Sequence, residues 1–168
     1  KRGGASFGTN PDLMASVVAA VRAATSLTLI TKLAPNVPDI RVFAKAAADA
    51  GSDALSVCNT LPAMAIDIEA RRPVLANVTG GLSGPAIHPV AVKLVWEASA
   101  AVDIPIIGMG GIAEPEDAIE LLAAGATAVA VGTANFIDPT TTLRVLAGIY
   151  EYMHRHGMAR VADIAIPH

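Results

Sequence analysis

The feature that most constrains this chain is a repeated alternation. Four short apolar runs, residues 27–33, 54–58, 104–108 and 128–132, each follow a segment whose apolar residues recur at helical spacing. Each run has the length of a buried strand. Asn10-Pro11-Asp12 predicts a helix start, with Asn10 as N-cap and Pro11 in the first turn. Leu13, Val17, Ala20, Val21 and Ala24 continue it on one face. Further helices are predicted over about 38–50, stopping at Gly51, and over about 88–102. Another starts at Glu114-Pro115-Glu116-Asp117, where carboxylates favour the positive helix end, and stops at Gly125. The last covers about 140–156 and stops at Gly157. The order α-β-α-β-α-β-α-β-α calls for an α/β fold with four parallel strands. Composition agrees: hydrophobic residues are 53% and aromatics only 4%, so Ala, Val, Ile and Leu carry the core. Such residues suit a parallel sheet buried on both faces.

One interruption breaks the alternation. Residues 60–85 hold two apolar stretches, 64–68 and 74–78, around Glu69-Ala70-Arg71-Arg72-Pro73. They read as a β-hairpin insertion over one end of the sheet, and long insertions in such domains are usually functional. The 168 residues read as a single partial domain, since four strands are half of a (β/α)8 TIM barrel. The alternation alone allows an open, flavodoxin-like sheet; the position of the glycines after the strands argues against it.

Bulk charge narrows the partners. A net charge of −3 without a basic stripe argues against nucleic acid. Cys58 has no second cysteine to pair with, and a reducing, cytoplasmic setting is expected. No apolar run has the length of a membrane span, so no membrane partner is expected. The opening Lys1-Arg2-Gly3-Gly4, without Met or a signal-peptide pattern, reads as a processed or truncated start.

The residues with chemistry all follow strands. Lys32 lies near the end of the first run, Asn59-Thr60 follow the second, Gly110-Gly111 come after the third, and Gly132 closes the fourth ahead of Thr133; the insertion ends in Gly80-Gly81-Leu82-Ser83-Gly84-Pro85. In an α/β barrel the site lies at these strand ends, and the last two strands hold a phosphate. Gly110-Gly111 and Gly132 let backbone N–H groups approach an anion closely; the plainer reading is a pair of tight turns. Lys32, within an apolar strand, reads as a cation facing an anion or an electron-rich ring, against a strand-end lysine that snorkels to water. Asn59 and Thr60 can hold a flat polar ligand or can simply make a turn. Cys58 reads as a small buried hydrophobe rather than a nucleophile. His154 and His156, two apart on a helix, face different ways and make no metal site.

Five segments in order carry a family resemblance. Lys32-Leu33-Ala34-Pro35-Asn36, Asn59-Thr60, the stretch from Asn77 to Ile87 containing Thr79-Gly80-Gly81-Leu82-Ser83-Gly84-Pro85, Ile106-Ile107-Gly108-Met109-Gly110-Gly111-Ile112 and Val131-Gly132-Thr133-Ala134-Asn135-Phe136 resemble the dihydroorotate dehydrogenases, in particular the class 1B, NAD-linked catalytic subunits. The resemblance runs from Gly3-Gly4 to the last helix. It implies the C-terminal half of a (β/α)8 barrel, FMN as cofactor, and oxidation of dihydroorotate to orotate in pyrimidine biosynthesis. It further implies that Lys32, Cys58, Gly84, Gly110, Gly111, Gly132 and Thr133 contact FMN, Cys58 through its backbone. Asn59 and Thr60 would hold the substrate ring. The catalytic base of the family, a cysteine in an Asn-x-x-Cys-Pro-Asn segment, is expected just upstream of Lys1, and Cys58 does not match it. A homodimer and an FAD and iron–sulfur electron-transfer subunit are the implied partners. Rival readings are another FMN barrel such as a dihydropyrimidine dehydrogenase, a flavin-free barrel for a phosphorylated substrate, and an inactive half-barrel fragment.

Overall fold

A computed structural model describes the backbone of residues 5–168 and the side chains from Phe7 onward. Lys1 to Gly4, where the resemblance starts, lie outside the described residues. In chain order the elements are α1 (Ala5–Gly8), α2 (Pro11–Ala24), β1 (Ile30–Lys32), α3 (Ile40–Asp49), β2 (Ala54–Val57), β3 (Leu61–Ala63), β4 (Ile66–Asp67), β5 (Arg72–Pro73) and β6 (Gly80–Leu82). A 3-10 turn (Pro85–Ile87) leads into α4 (His88–Ser99). Then come β7 (Ile106–Met109), α5 (Pro115–Ala123), β8 (Ala128–Ala130), α6 (Ala134–Ile137), α7 (Thr141–Arg155) and a 3-10 turn at Val161–Ile164. Neither the 3-10 turns nor α6 follows from apolar periodicity.

The four principal strands form one parallel sheet in the order β1-β2-β7-β8. Strand order therefore equals chain order, without reversal. Successive right-handed crossovers in one direction put every helix on the same face. Accordingly α2 packs on α3, α3 on α4, α4 on α5, and α5 on α7. This is the wall of a barrel. An open doubly wound sheet reverses direction at a switch point and covers both faces, so the flavodoxin-like alternative is overturned.

Local chemistry sets the elements and trims the strands. Asn10 caps α2, its side-chain oxygen accepting from the Leu13 N–H at 2.9 Å. Asp39 caps α3 in the same way through Arg41. Asp117 reaches back to the Ala113 and Glu114 N–H groups at 2.8 and 2.9 Å and fixes the entry to α5. The first strand is shorter than the apolar run 27–33 because its start is used otherwise. Arg22 donates to the carbonyls of Thr25 and Leu27, and Asp53 accepts from the Leu29 N–H. The third begins after Pro105, which has no N–H to give a ladder. Central β2 is buried throughout, whereas the edge strands β1 and β8 are half-exposed. The core lies between sheet and helices, around Leu55, Val57, Val95, Ile106 and Leu121.

The insertion contains hairpins, but not with the expected partners. An Asx turn, in which Asp67 accepts from the Glu69 and Ala70 N–H groups, and a left-handed Arg71 (φ +51°) close a tight hairpin. This pairs Ile66 with Pro73 and Asp67 with Arg72. Beyond Val74, which donates to Ala65, the run 74–78 leaves the ladder through turns at Leu75–Val78 and Asn77–Thr79. The outer pair is instead β3 with β6. The run 74–78 is thus not a strand.

Candidate functional site

The sheet delivers its strand ends to one place. A cleft of about 340 Å³ is lined by Lys32 from β1, Cys58, Asn59 and Thr60 after β2, Gly84 from the insertion, Gly110 and Gly111 after β7, and Gly132 and Thr133 after β8. All nine residues singled out from the sequence therefore meet in one wall. A second cleft of about 610 Å³ adjoins it and shares Lys32, Asn59 and Thr60, adding Asn36 and Thr79. A wider groove of about 920 Å³ between α5 and α7 contains none of these strand ends and lies on the outer face.

Backbone hydrogen bonds fix the floor of the cleft. The Cys58 N–H donates to the Met109 carbonyl at 3.1 Å and the Asn59 N–H to the Leu33 carbonyl at 3.2 Å. The segment after β2 is thus pinned to the ends of both neighbouring strands, which leaves the exposed Asn59 and Thr60 on a rigid base. Lys32 is exposed in this chain, as in the strand-end reading in which it reaches water. It stands at the boundary of the two clefts.

Cys58 is buried, and burial pushes its thiol up to about 11, against a smaller downward pull from Lys32. The Cys58 side chain is therefore a neutral thiol at neutral pH, neither a nucleophile nor a base. Its Sγ lies 3.9 Å from the Met109 carbonyl oxygen.

The glycine turns form the opposite end. Gly110 and Gly111 adopt φ of +130° and +76°, which favour glycine. Contact is close as well: a Cβ on Gly110 would stand 2.8 Å from Ala91 Cβ, and one on Gly111 2.7 Å from His88 Cβ and 2.9 Å from the Gly84 carbonyl oxygen. Gly84 and Gly132 face open space instead. Beyond the last ladder pair, Met109 with Ala130, the N–H groups of Gly111, Gly132 and Thr133 donate no backbone hydrogen bond among the described residues. A set of bare N–H groups at one end of a cleft suits an anion such as a phosphate.

Sequence reasoning passed over several residues here. The Thr133 hydroxyl donates to Ser83 Oγ at 2.8 Å, bridging the insertion to the end of β8. Asn36 and Thr79 line the second cleft; both lie inside the recognised segments, and their hydrogen-bonding side chains were the available signal. Asn135, behind the lining of both clefts, is held by its own donation to the Val131 carbonyl and by the Thr142 hydroxyl. Among the described residues no cluster of three His, Cys, Asp or Glu side chains could hold a metal.

Comparison with known proteins adds three findings. A family model described as dihydroorotate dehydrogenase matches residues 1–153. Proteins described as dihydroorotate dehydrogenase B (NAD(+)), catalytic subunit, from Pelobacter propionicus and Trichlorobacter lovleyi are each 56% identical over 164 residues, 98% of this chain and 54% of theirs. The chain thus spans about half the length of the curated relatives it matches. Among solved structures, the ligand-free type of DHODH from Eimeria tenella is similar with a TM-score of 0.77 at 26% identity, covering 95% of this chain and 50% of that one. The same protein in complex with ferulenol gives 0.76 at 26%, covering 92% and 48%.

Proposed function

This chain belongs to the dihydroorotate dehydrogenase family, and from that premise we propose that it supplies the FMN-holding half of an enzyme that oxidises dihydroorotate to orotate in pyrimidine biosynthesis. The observation that carries the reading is the union of two clefts through Lys32, Asn59 and Thr60, with bare glycine N–H groups at the far end of the first. That arrangement suits a flat ring with a phosphate tail in the first cleft and a small polar ring in the second. Gly84, Gly110, Gly111, Gly132 and Thr133 would hold the phosphate end of FMN, and the backbone at Cys58 would line its ring. When bound, FMN supplies the hydride acceptor.

The chain's own residues divide the remaining work. The amide of Asn59 and the hydroxyl of Thr60 each offer a donor and an acceptor, which match the alternating amide edge of a dihydropyrimidine. Lys32 places a positive charge where negative charge develops on the reduced ring. Cys58, a neutral thiol, takes no proton from the substrate; proton removal falls to a residue outside the nine. The name that the relatives carry, catalytic subunit of an NAD(+) type, supports a separate electron-transfer subunit; that this subunit carries FAD and an iron–sulfur centre, and that the barrel is a homodimer, belong to the same proposal. No helix among the described residues is long and apolar enough to cross a membrane, and the proposed setting is the cytoplasm.

The test uses the complete-barrel protein. It is expected to be yellow with bound FMN and to be reduced by dihydroorotate but not by dihydrouracil, which lacks the carboxylate. Reduction by dihydrouracil would favour a dihydropyrimidine-type enzyme, and a colourless protein would favour a flavin-free barrel. Lys32→Ala should slow flavin reduction roughly tenfold or more, as loss of one charge-assisted contact worth about 1.5–3 kcal/mol requires. An unchanged reduction rate and flavin content would remove Lys32 from the site.

A further inference from the structure

Four polar residues are buried among the described residues: Ser52, Ser56, His88 and Thr141. His88 is the only one of them with an ionisable ring, and the roles proposed above leave it unused. It opens α4, immediately behind the glycine turn after β7. Its Nδ1 lies 2.9 Å from the Gly110 carbonyl oxygen. A carbonyl only accepts, so Nδ1 carries a hydrogen and donates it. On the far side, Nε2 lies 3.1 Å from Glu120 Oε2 and 3.9 Å from Asp117 Oδ1, both on α5.

The consequence comes from peptide geometry. The Gly110 carbonyl and the Gly111 N–H belong to one planar trans peptide and point in opposite directions. Fixing the carbonyl toward His88, on the protein side, aims the Gly111 N–H the other way, toward the cleft. Two successive glycines would otherwise let this peptide flip at small cost. A flipped peptide would present a carbonyl oxygen to the anion. His88 Cβ also stands where a side chain on Gly111 would be, so the ring both packs against the turn and orients it. The carboxylates of Glu120 and Asp117 hold the ring in turn, and Asp117 fixes Ala113 and Glu114, just beyond Ile112.

From this geometry we infer that His88 is a positioning residue for phosphate binding: through its bond to Gly110 it holds the Gly110–Gly111 peptide in the orientation that presents the Gly111 N–H to the phosphate of the flavin. The inference rests on the FMN reading above. Two variants separate orientation from packing. His88→Leu fills the space without a donor, and His88→Asn keeps an amide N–H near the Nδ1 position.

In the complete-barrel protein, the FMN dissociation constant is expected to rise roughly tenfold in His88→Leu, as loss of one buried hydrogen bond requires, and to return close to the wild-type value in His88→Asn. In the flavin-free protein, amide exchange at Gly111 should quicken in His88→Leu and not in His88→Asn. Equal flavin affinity in the Leu variant and the wild type would overturn the inference. So would equal weakening in both variants alongside a common fall in melting temperature, which is the mark of packing alone. A wild-type protein that takes no FMN would overturn the flavin reading itself. The exchange rates at Gly111 keep that result distinct from a failure of the His88 contact.

Discussion

Gly111 and Gly132 end neighbouring β-α units and respond to a methyl group in opposite ways. On Gly111 a Cβ meets His88 and the Gly84 carbonyl at a φ of +76°, so Gly111→Ala damages the fold itself. On Gly132 a Cβ meets nothing within 4 Å. Gly132→Ala should therefore leave stability within about 0.5 kcal/mol of wild type, as for surface changes generally. The methyl would nonetheless stand at the cleft where the phosphate is proposed to bind. Flavin titration should show FMN affinity reduced roughly tenfold, about 1.4 kcal/mol, with an unchanged melting curve. Unaltered flavin affinity would remove Gly132 from the phosphate contacts. At this scale the sequence was legible where chemistry follows topology: every strand end brought its Lys, Asn, Thr or Gly to the same cleft. The exposure of Lys32 was one of two readings left open, because alternation along β1 separates two faces without saying which one helices cover. His88 was not legible, since its partners Gly110 and Glu120 lie 22 and 32 residues away in sequence.

Elements are joined at the opposite end of the sheet by Asp53. Its Oδ2 accepts from the Leu29 N–H at 2.7 Å and from Arg22 Nη1 at 2.8 Å, tying the C-terminal turn of α2 to the start of β1 and to the turn before β2. The Leu29 N–H, and with it the Arg22 guanidinium, hold the Asp53 carboxyl below its ordinary value of 3.8, partly opposed by desolvation. A depressed folded-state value means that this stabilisation is complete above the unfolded value and is lost as pH falls through the folded one. Asp53→Asn is accordingly expected to lower the melting temperature at pH 7. The gap to wild type should close as pH drops below about 4. A gap independent of pH would assign the effect to geometry rather than charge. Asp39, Asp138 and Asp163 are depressed as well and steepen the acid limb of both proteins alike, so the difference isolates Asp53. The insertion shows the limit of reading elements from sequence. Its hairpin character was legible from two apolar stretches around a polar turn. Its register was not, since the Asx turn at Asp67 and the left-handed Arg71 decide the pairing, and β6 carries two glycines where β propensity points to residues 74–78.

At the scale of the whole molecule, strand number and chain order were legible from periodicity. The choice between barrel wall and open sheet was not legible from periodicity, because no single helix records which face its neighbour covers; it came from the glycines at the strand ends and from the family resemblance. The wall has a further consequence. Among the described residues β1 and β8 each pair on one side only. Ile30 lies on the same face of β1 as Lys32, two residues on, and is 47% exposed. At the other margin Phe136 and Ile137 are 92% and 84% exposed, and Leu143 and Tyr150 are exposed on α7. Unpaired edges flanked by apolar side chains pair with other chains unless blocked. The 168 residues on their own are therefore expected to self-associate, and sedimentation equilibrium should show species heavier than the monomer. Ile30→Lys puts a charge on the free edge and should shift the distribution toward monomer. In a complete barrel the same lysine would face the closed interior. An unpaired ammonium buried there is strongly destabilising, by about 3–5 kcal/mol on the scale of broken buried ion pairs, so Ile30→Lys should prevent the complete barrel from folding while making the isolated chain more monomeric. Equal tolerance in both settings would mean that β1 is an edge in the working protein and that the sheet does not close next to it.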